Sequence, residues 1–172
     1  MEKPAGERMS QPPMGNGIDD RKTPHDLFDR LNDEHHFTLD AAASHQNALC
    51  DLYCTLFGTW SKSPFERVAP GDGLRFPWFE RIVFFNPPYG RGLLAPFVEK
   101  AWNETKHGWC PEAVGLLPVR TEQPWFHRYV FDRERRCWRP GIEVEFIEKR
   151  VKYDGLETGA PFPSMLVTWR KL

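Results

Sequence analysis

The stretch IVFFNPPYG, residues 82–90, decides the fold and raises the first question about function. Its first four residues are apolar, which predicts a buried strand at 81–85. An amide, two prolines, an aromatic ring and a glycine then follow within five positions. A turn needs proline or glycine for its backbone geometry, but it does not need an asparagine and a tyrosine. Asn86 and Tyr89 are therefore candidate functional residues.

The chemistry indicated by this order of residues is a clamp for an aromatic amine. Asn86 offers a side-chain carbonyl, and Pro87 has no N–H, so the carbonyls of both residues can project into a cleft as acceptors, held outward by Pro87 and Pro88. Two acceptors suit an amine with two hydrogens, and Tyr89 can stack on a planar heterocycle for roughly 1–3 kcal/mol. A plain turn with a packed tyrosine is the alternative interpretation. The position of the four residues at a strand end favours the clamp.

The composition predicts one domain without a global affinity for nucleic acid. The chain has 172 residues, of which 40% are hydrophobic, enough for one substantial core. Lys plus Arg is 23 and Asp plus Glu is 24, a net charge of -1. Any binding to nucleic acid must therefore come from local basic patches.

The cysteines predict neither disulfides nor a metal site. Four cysteines occur without a CxxC pair or a signal-peptide pattern, which indicates free thiols in a reducing cytoplasm. Cys50 and Cys54 near His45 lack the spacing of a zinc site, so we expect no metal. No apolar run has the length of a membrane span, so we expect no membrane association.

The rest of the chain predicts a disordered arm followed by alternating helices and strands. Residues 1–20 are polar, rich in Pro and Gly and without periodicity, which predicts disorder; residues 21–172 form the domain. Residues 46–57 are undecided between helix and loop, and 61–79 form a loop with a turn at 70–73. The remaining predictions are helices at 24–32 and from Pro96 to Gly108, a further helix or a lid starting over 122–129, and strands at 37–40, 81–85, 113–118, 142–151 and 164–169.

This alternation predicts an α/β sheet whose middle strands are parallel and whose C-terminal edge is an antiparallel pair. Ligands of such sheets bind at the carboxyl ends of the strands. Asp40 and Asn86 both fall at predicted strand ends. No GxGxxG or P-loop motif is present, so the usual evidence for dinucleotide or nucleoside triphosphate binding is missing.

The order of short motifs resembles one family, the phage-type DNA N-6-adenine methyltransferases (the Dam-like phage family). The similarity runs from about residue 23 to residue 170, nearly the whole chain. The matching segments are 23–24 (TP), 37–44 (FTLDAAAS), 72–74 (DGL) with Trp78, 86–90 (NPPYG), 97–101 (FVEKA), 116–121 (LLPVRT), 125–127 (WFH) and 164–167 (SMLV).

The resemblance implies a single Rossmann-like methyltransferase domain, with a mostly parallel sheet and helices on both faces. It implies transfer of a methyl group from S-adenosylmethionine to the exocyclic amine of adenine in DNA. Asn86 and the Pro87 carbonyl would hold the amine, and Pro88 would complete the motif. Tyr89 would stack on an adenine flipped out of the duplex.

The resemblance also implies cofactor-binding residues. Asp40 would meet the ammonium of the methionine moiety, and Thr23 and Pro24 would flank it. Asp72 would approach the adenine of the cofactor. Ala41 also belongs to the proposed cofactor site, but it stands where many relatives have glycine, which makes close approach of its backbone to the cofactor less certain. Local roles remain as alternatives: capping for Asp40 and Thr23, and turn formation for Asp72.

Contacts with DNA are predicted at Arg91, Arg120, Arg135 and Arg136, which lie in local basic patches next to aromatic residues. For Arg135 and Arg136 a solvated loop is the alternative. The same amine clamp also suits RNA bases or glutamine side chains, and a DNA-binding module with a decayed site is a further alternative. If the protein is encoded by a bacteriophage, its location would be the host cytoplasm.

Overall fold

The computed structural model describes residues 22–64, 68, 70–90, 92–154 and 158–172. The arm predicted at 1–20 lies outside the described residues, and the domain boundary at residue 21 stays a prediction. The helices are α1 (His25–His35), α2 (Leu94–Lys106) and α3 (Pro124–Tyr129). The strands are β1 (Leu39–Asp40), β2 (Leu52–Thr55), β3 (Gly58–Ser61), β4 (Ile82–Phe85), β5 (Glu112–Pro118), β6 (Phe131–Asp132), β7 (Cys137–Trp138), β8 (Ile142–Phe146) and β9 (Ser164–Arg170).

Seven strands form one sheet in the order β3-β2-β1-β4-β5-β9-β8. The pairs β2–β1, β1–β4 and β4–β5 are parallel, whereas β9 is antiparallel to both β5 and β8. The strands β2, β1, β4, β5 and β8 therefore run in one direction, against β3 and β9. The predicted α/β fold, with a parallel centre and an antiparallel C-terminal edge, is confirmed.

Alternation along β4 shows how the two faces of the sheet are covered. Val83 and Phe85 pack in one cluster with residues of α2 and α3, while Phe84 packs in another with residues of α1. Successive side chains of a strand point to opposite faces, so the helices lie on both faces, as predicted. The parallel strands in the middle are buried on both sides, which explains the unbroken apolar run before Asn86.

Three segments differ from the predictions. Residues 46–57, left undecided, contain β2, which pairs with β3 as an antiparallel hairpin. All four residues of β2 are buried, so the alternation that identifies a strand is missing. The strand predicted to reach residue 151 ends at Phe146, and Val151 instead packs in the α1-side cluster. Within the 130s, β6 and β7 form a separate hairpin. None of the helices in the described ranges has the length and apolar character needed to cross a membrane.

Candidate active site

A cavity of about 190 Å³ opens at the carboxyl ends of β1, β2 and β4. A smaller one beside it is lined by residues that include Thr23, Asp40 and Asn86. Both cavities share Asn86, so this residue stands between them. The larger cavity is lined by Ala41, Ala42, Ala43, Ser44, Asn47, Thr55, Leu56, Asp72, Gly73, Leu74, Asn86, Pro88, Leu93 and Phe97.

The Asn86 side chain is held from two sides. Its Nδ2 donates to Thr23 Oγ1 at 3.0 Å, and its Oδ1 accepts from the Tyr89 hydroxyl at 3.0 Å. The capping alternative for Thr23 is wrong, because α1 begins at His25, its N-cap is Pro24, and no side chain caps it. Thr23 is 6% exposed. Its hydroxyl orients the Asn86 amide.

Tyr89 is fixed at both its hydroxyl and its ring. The hydroxyl oxygen lies 3.1 Å from the Leu116 carbonyl oxygen and 2.8 Å from the Tyr153 hydroxyl. The Phe162 ring meets the Tyr89 ring edge to face, with centroids 5.4 Å apart. Within the same motif Pro87 is buried, and Pro88 lines the larger cavity.

Asp40 is a buried carboxylate at the carboxyl end of β1. Its Oδ1 accepts from the Ala42 N–H at 3.3 Å and its Oδ2 from the Leu49 N–H at 3.2 Å. Burial raises the pKa of Asp40 to about 6, against the lowering effect of these two hydrogen bonds. Asp40 therefore holds the loop after β1, as its capping alternative requires, while it also lines the smaller cavity with Thr23.

The turn at 71–75 forms one wall of the larger cavity. Asp72 Oδ1 accepts from the backbone N–H groups of Leu74 and Arg75, both at 3.0 Å, as expected of a turn aspartate. A Cβ on Gly73 would lie 1.8 Å from the Ala41 carbonyl oxygen. Because it has no side chain, Gly73 lets this turn lie directly against the Ala41 carbonyl.

Trp78 holds this turn against the sheet. Its Nε1 donates to the Gly73 carbonyl at 3.1 Å, and its ring is fully buried. The motif at 72–74 and Trp78 therefore act together, because the indole of Trp78 fixes the backbone of the turn that carries Asp72.

Several lining residues were missed by the sequence analysis. Asn47 contributes to both cavities, and its Oδ1 accepts from the Ser44 N–H at 2.6 Å. Thr55 and Leu56 belong to the β2–β3 hairpin, which was not predicted, so neither residue was recognised as lying at the end of a strand. The signal for Asn47 was the polar S-x-x-N spacing directly after a strand end, which is typical of a side chain closing a loop.

The arginines predicted to contact DNA, as far as the structure describes them, lie in two places. Arg120 is exposed just beyond the carboxyl end of β5, at the same edge of the sheet as Asn86. Arg135 and Arg136 are exposed in the turn of the β6–β7 hairpin. Just before that hairpin, the Tyr129 carbonyl accepts from Trp169 Nε1, and Trp169 pairs with Ala113 near the start of β5. The base of the hairpin therefore lies towards the amino ends of the strands. Arg91 is outside the described residues.

Cys50, Cys54 and Cys110 are buried, and Cys137 is exposed. Burial raises the pKa of the Cys50, Cys54 and Cys110 thiols, which keeps them protonated at neutral pH. In the part of the chain that the structure describes, no group of three or more His, Cys, Asp or Glu side chains could hold a metal ion.

Together, the strand order, the helices on both faces and the cavity at the carboxyl edge define a methyltransferase-like α/β domain. The sequence profile of the family "DNA N-6-adenine-methyltransferase (Dam)" matches residues 15–172, so the chain belongs to this family. Comparison with curated proteins gives no match. The family match identifies the protein as an adenine N6 methyltransferase whose substrate class is DNA.

Proposed function

We propose that the protein uses S-adenosylmethionine to methylate the exocyclic amine of adenine at specific sites in DNA, with Asn86 holding that amine. The observation that carries the proposal is the fixed Asn86 amide between the two cavities, bonded to Thr23 on one side and Tyr89 on the other. A bacteriophage origin, and action in the host cytoplasm, stay predictions from the resemblance.

Asn86 Oδ1 has the capacity to bind the amine. A carbonyl oxygen has two lone pairs, and the Tyr89 hydroxyl occupies one. We propose that Asn86 Oδ1 also accepts one hydrogen of the adenine amine, and that the Pro87 carbonyl accepts the other hydrogen. Acceptors in fixed positions stabilise the positive charge that develops on the nitrogen while it forms its bond to the methyl carbon. The excess proton then passes from the nitrogen to water.

The residues of the two cavities fit S-adenosylmethionine. When bound, this cofactor supplies a methyl group on a positively charged sulfur, so that the amine can displace the thioether. Asp40 offers a carboxylate for the ammonium group, with Thr23 and Pro24 beside it. The backbone at Ala41 and the turn at Asp72 would flank the nucleoside, next to apolar walls such as Leu93 and Phe97.

The DNA would lie across the carboxyl edge of the sheet. The target adenine must leave the duplex to reach Asn86, and Tyr89 would stack on the flipped base. Arg120, exposed at this edge, and Arg91 would contact phosphates nearby. Contact of Arg135 and Arg136 with phosphates stays a prediction from the sequence, since the base of their hairpin lies towards the amino ends of the strands, away from this edge.

The test is a comparison of Asn86→Ala with Asn103→Ala, an asparagine on α2. Methyl transfer from radiolabelled cofactor is measured on duplex DNA, RNA and protein, and cofactor binding is measured by calorimetry. We expect transfer to DNA by the wild type and by Asn103→Ala. Asn86→Ala should lose transfer while its cofactor Kd stays within a few fold.

Two results would contradict the proposal. Label found only on RNA or on protein would show a different substrate for the clamp. Wild-type turnover by Asn86→Ala would show that this amide does not hold the amine.

A further inference from the structure

We propose that Tyr153 is a positioning residue for methyl transfer, which acts through the Tyr89 hydroxyl on the Asn86 carbonyl. This inference rests on the proposed function and adds a residue from a segment distant in sequence. Tyr153 lies after β8, where the strand predicted to continue to residue 151 has already ended. It belongs to none of the motifs that carry the family resemblance.

Tyr153 is buried beneath the motif at 86–90. Its side chain is 1% exposed and packs in the α1-side cluster with Phe84 and Leu116. Its hydroxyl oxygen lies 2.8 Å from that of Tyr89. A buried hydroxyl needs a hydrogen-bond partner, and one partner of the Tyr153 hydroxyl is the tyrosine proposed to stack on the target base.

Tyr153 differs from the other two groups that contact the Tyr89 hydroxyl, because it carries a proton that it can donate. Three oxygens surround the Tyr89 hydroxyl: Asn86 Oδ1, the Leu116 carbonyl and the Tyr153 hydroxyl. Tyr89 has one proton, and both carbonyl oxygens can only accept. Of these three groups, only Tyr153 can donate to Tyr89. When Tyr153 donates to Tyr89, the proton of Tyr89 is left for Asn86 Oδ1 or for the Leu116 carbonyl.

The backbone next to Tyr153 also supports the opposite side of Asn86. The Asp154 N–H donates to the Lys22 carbonyl at 3.0 Å, in an antiparallel bridge. Lys22 immediately precedes Thr23, which accepts from Asn86 Nδ2. Two groups that bond to the Asn86 amide, the hydroxyls of Thr23 and Tyr89, are therefore connected to residues 153–154, Thr23 through Lys22 and Tyr89 directly.

These hydrogen bonds fix the orientation of the Tyr89 ring and of the Asn86 carbonyl, the two groups that would contact the target adenine. The bond between the two tyrosine hydroxyls holds the plane of the Tyr89 ring, and the bond from Tyr89 holds the Asn86 carbonyl. A displacement of about 1 Å in an active site can reduce a rate on the order of a hundredfold. Removal of the Tyr153 hydroxyl leaves the Tyr89 ring packed against Phe162, so we expect the methylation rate to fall by less than a hundredfold.

The experiment compares Tyr153→Phe with Tyr129→Phe in steady-state methylation of duplex DNA. Both changes remove one hydroxyl from a buried tyrosine, but Tyr129 donates to Glu99 on α2, away from the site. For Tyr153→Phe we expect kcat to fall about tenfold, with the KM for DNA and the cofactor Kd unchanged. For Tyr129→Phe we expect wild-type kcat.

A double-mutant cycle with Tyr89→Phe separates positioning from a general structural effect. If Tyr153 acts through the Tyr89 hydroxyl, Tyr153→Phe has little further effect on kcat in the Tyr89→Phe background. Unchanged kcat in Tyr153→Phe, or full additivity with Tyr89→Phe, would overturn the inference. Failure of the proposed function would look different, because the wild type itself would then not methylate DNA.

Discussion

Cofactor affinity should depend on pH through Asp40. Burial raises the pKa of this carboxyl to about 6, whereas an α-amino group titrates at about 7.7–8.0. Between pH 5 and pH 7 the ammonium of the cofactor therefore stays charged while Asp40 gains its charge. About one tenth of Asp40 is ionised at pH 5 and about nine tenths at pH 7. If only the carboxylate binds the ammonium, the affinity is about tenfold weaker at pH 5.

The same shift predicts the opposite trend for the stability of the unliganded protein. The pKa of Asp40 rises from 3.8 in the unfolded chain to about 6 in the folded protein. Between these values the folded protein keeps a proton that the unfolded chain has lost. The contribution of Asp40 to the free energy of unfolding therefore falls as pH rises from about 4 to 6, by about 3 kcal/mol in total.

Calorimetry of S-adenosylmethionine binding at pH 5, 6, 7 and 8, at constant ionic strength, measures this dependence. For the wild type we expect the affinity to rise up to pH 7 and to fall about twofold between pH 7 and 8, where the ammonium of the cofactor loses part of its charge. Asp40→Asn should bind weakly, with a Kd that does not change between pH 5 and 7. Equal wild-type Kd values at pH 5 and 7 would refute the role of Asp40.

Two further predictions concern the cavity wall and the hairpin. Gly73→Ala forces a Cβ against the Ala41 carbonyl, so it should lower the free energy of unfolding by about 1–3 kcal/mol and the Tm by about 2–4 °C per kcal/mol. In the control Gly58→Ala the added Cβ meets only an ordinary van der Waals contact. Equal Tm values for the two variants would contradict the close approach of Gly73 to Ala41. Replacing both Arg135 and Arg136 by Ala should weaken DNA binding. If each arginine contacts a phosphate, the plot of log binding constant against log salt concentration, measured by fluorescence anisotropy, should become less steep by about 1.8. An unchanged slope would show that the hairpin does not contact DNA.

The sequence predicted well those elements whose signal is local. The apolar run of β4 and the motif behind it specify a buried strand with a functional end. Asp40 follows a short β-prone segment in the same way. Because the carboxyl ends of parallel strands meet at one edge of a sheet, the two residues were expected near each other, and the structure places both at the smaller cavity.

The sequence could not indicate features that depend on contacts between distant segments. Thr23 followed by Pro24 has the local pattern of a helix cap, but its hydroxyl binds Asn86, 63 positions away. β2 is covered on both faces and lacks alternation. Gly73 resembles an ordinary turn glycine, and only its approach to Ala41 explains it. Tyr153 has no local pattern, because its partner comes from another strand end.

The most direct test of the central claim is to map methylated bases after expression in a host without DNA methylation of its own. The account predicts N6-methyladenine at specific sites in DNA from cells with the wild-type protein, and none with Asn86→Ala. Unmodified DNA from cells with folded, cofactor-binding wild-type protein would contradict it, as would methylation retained with Asn86→Ala.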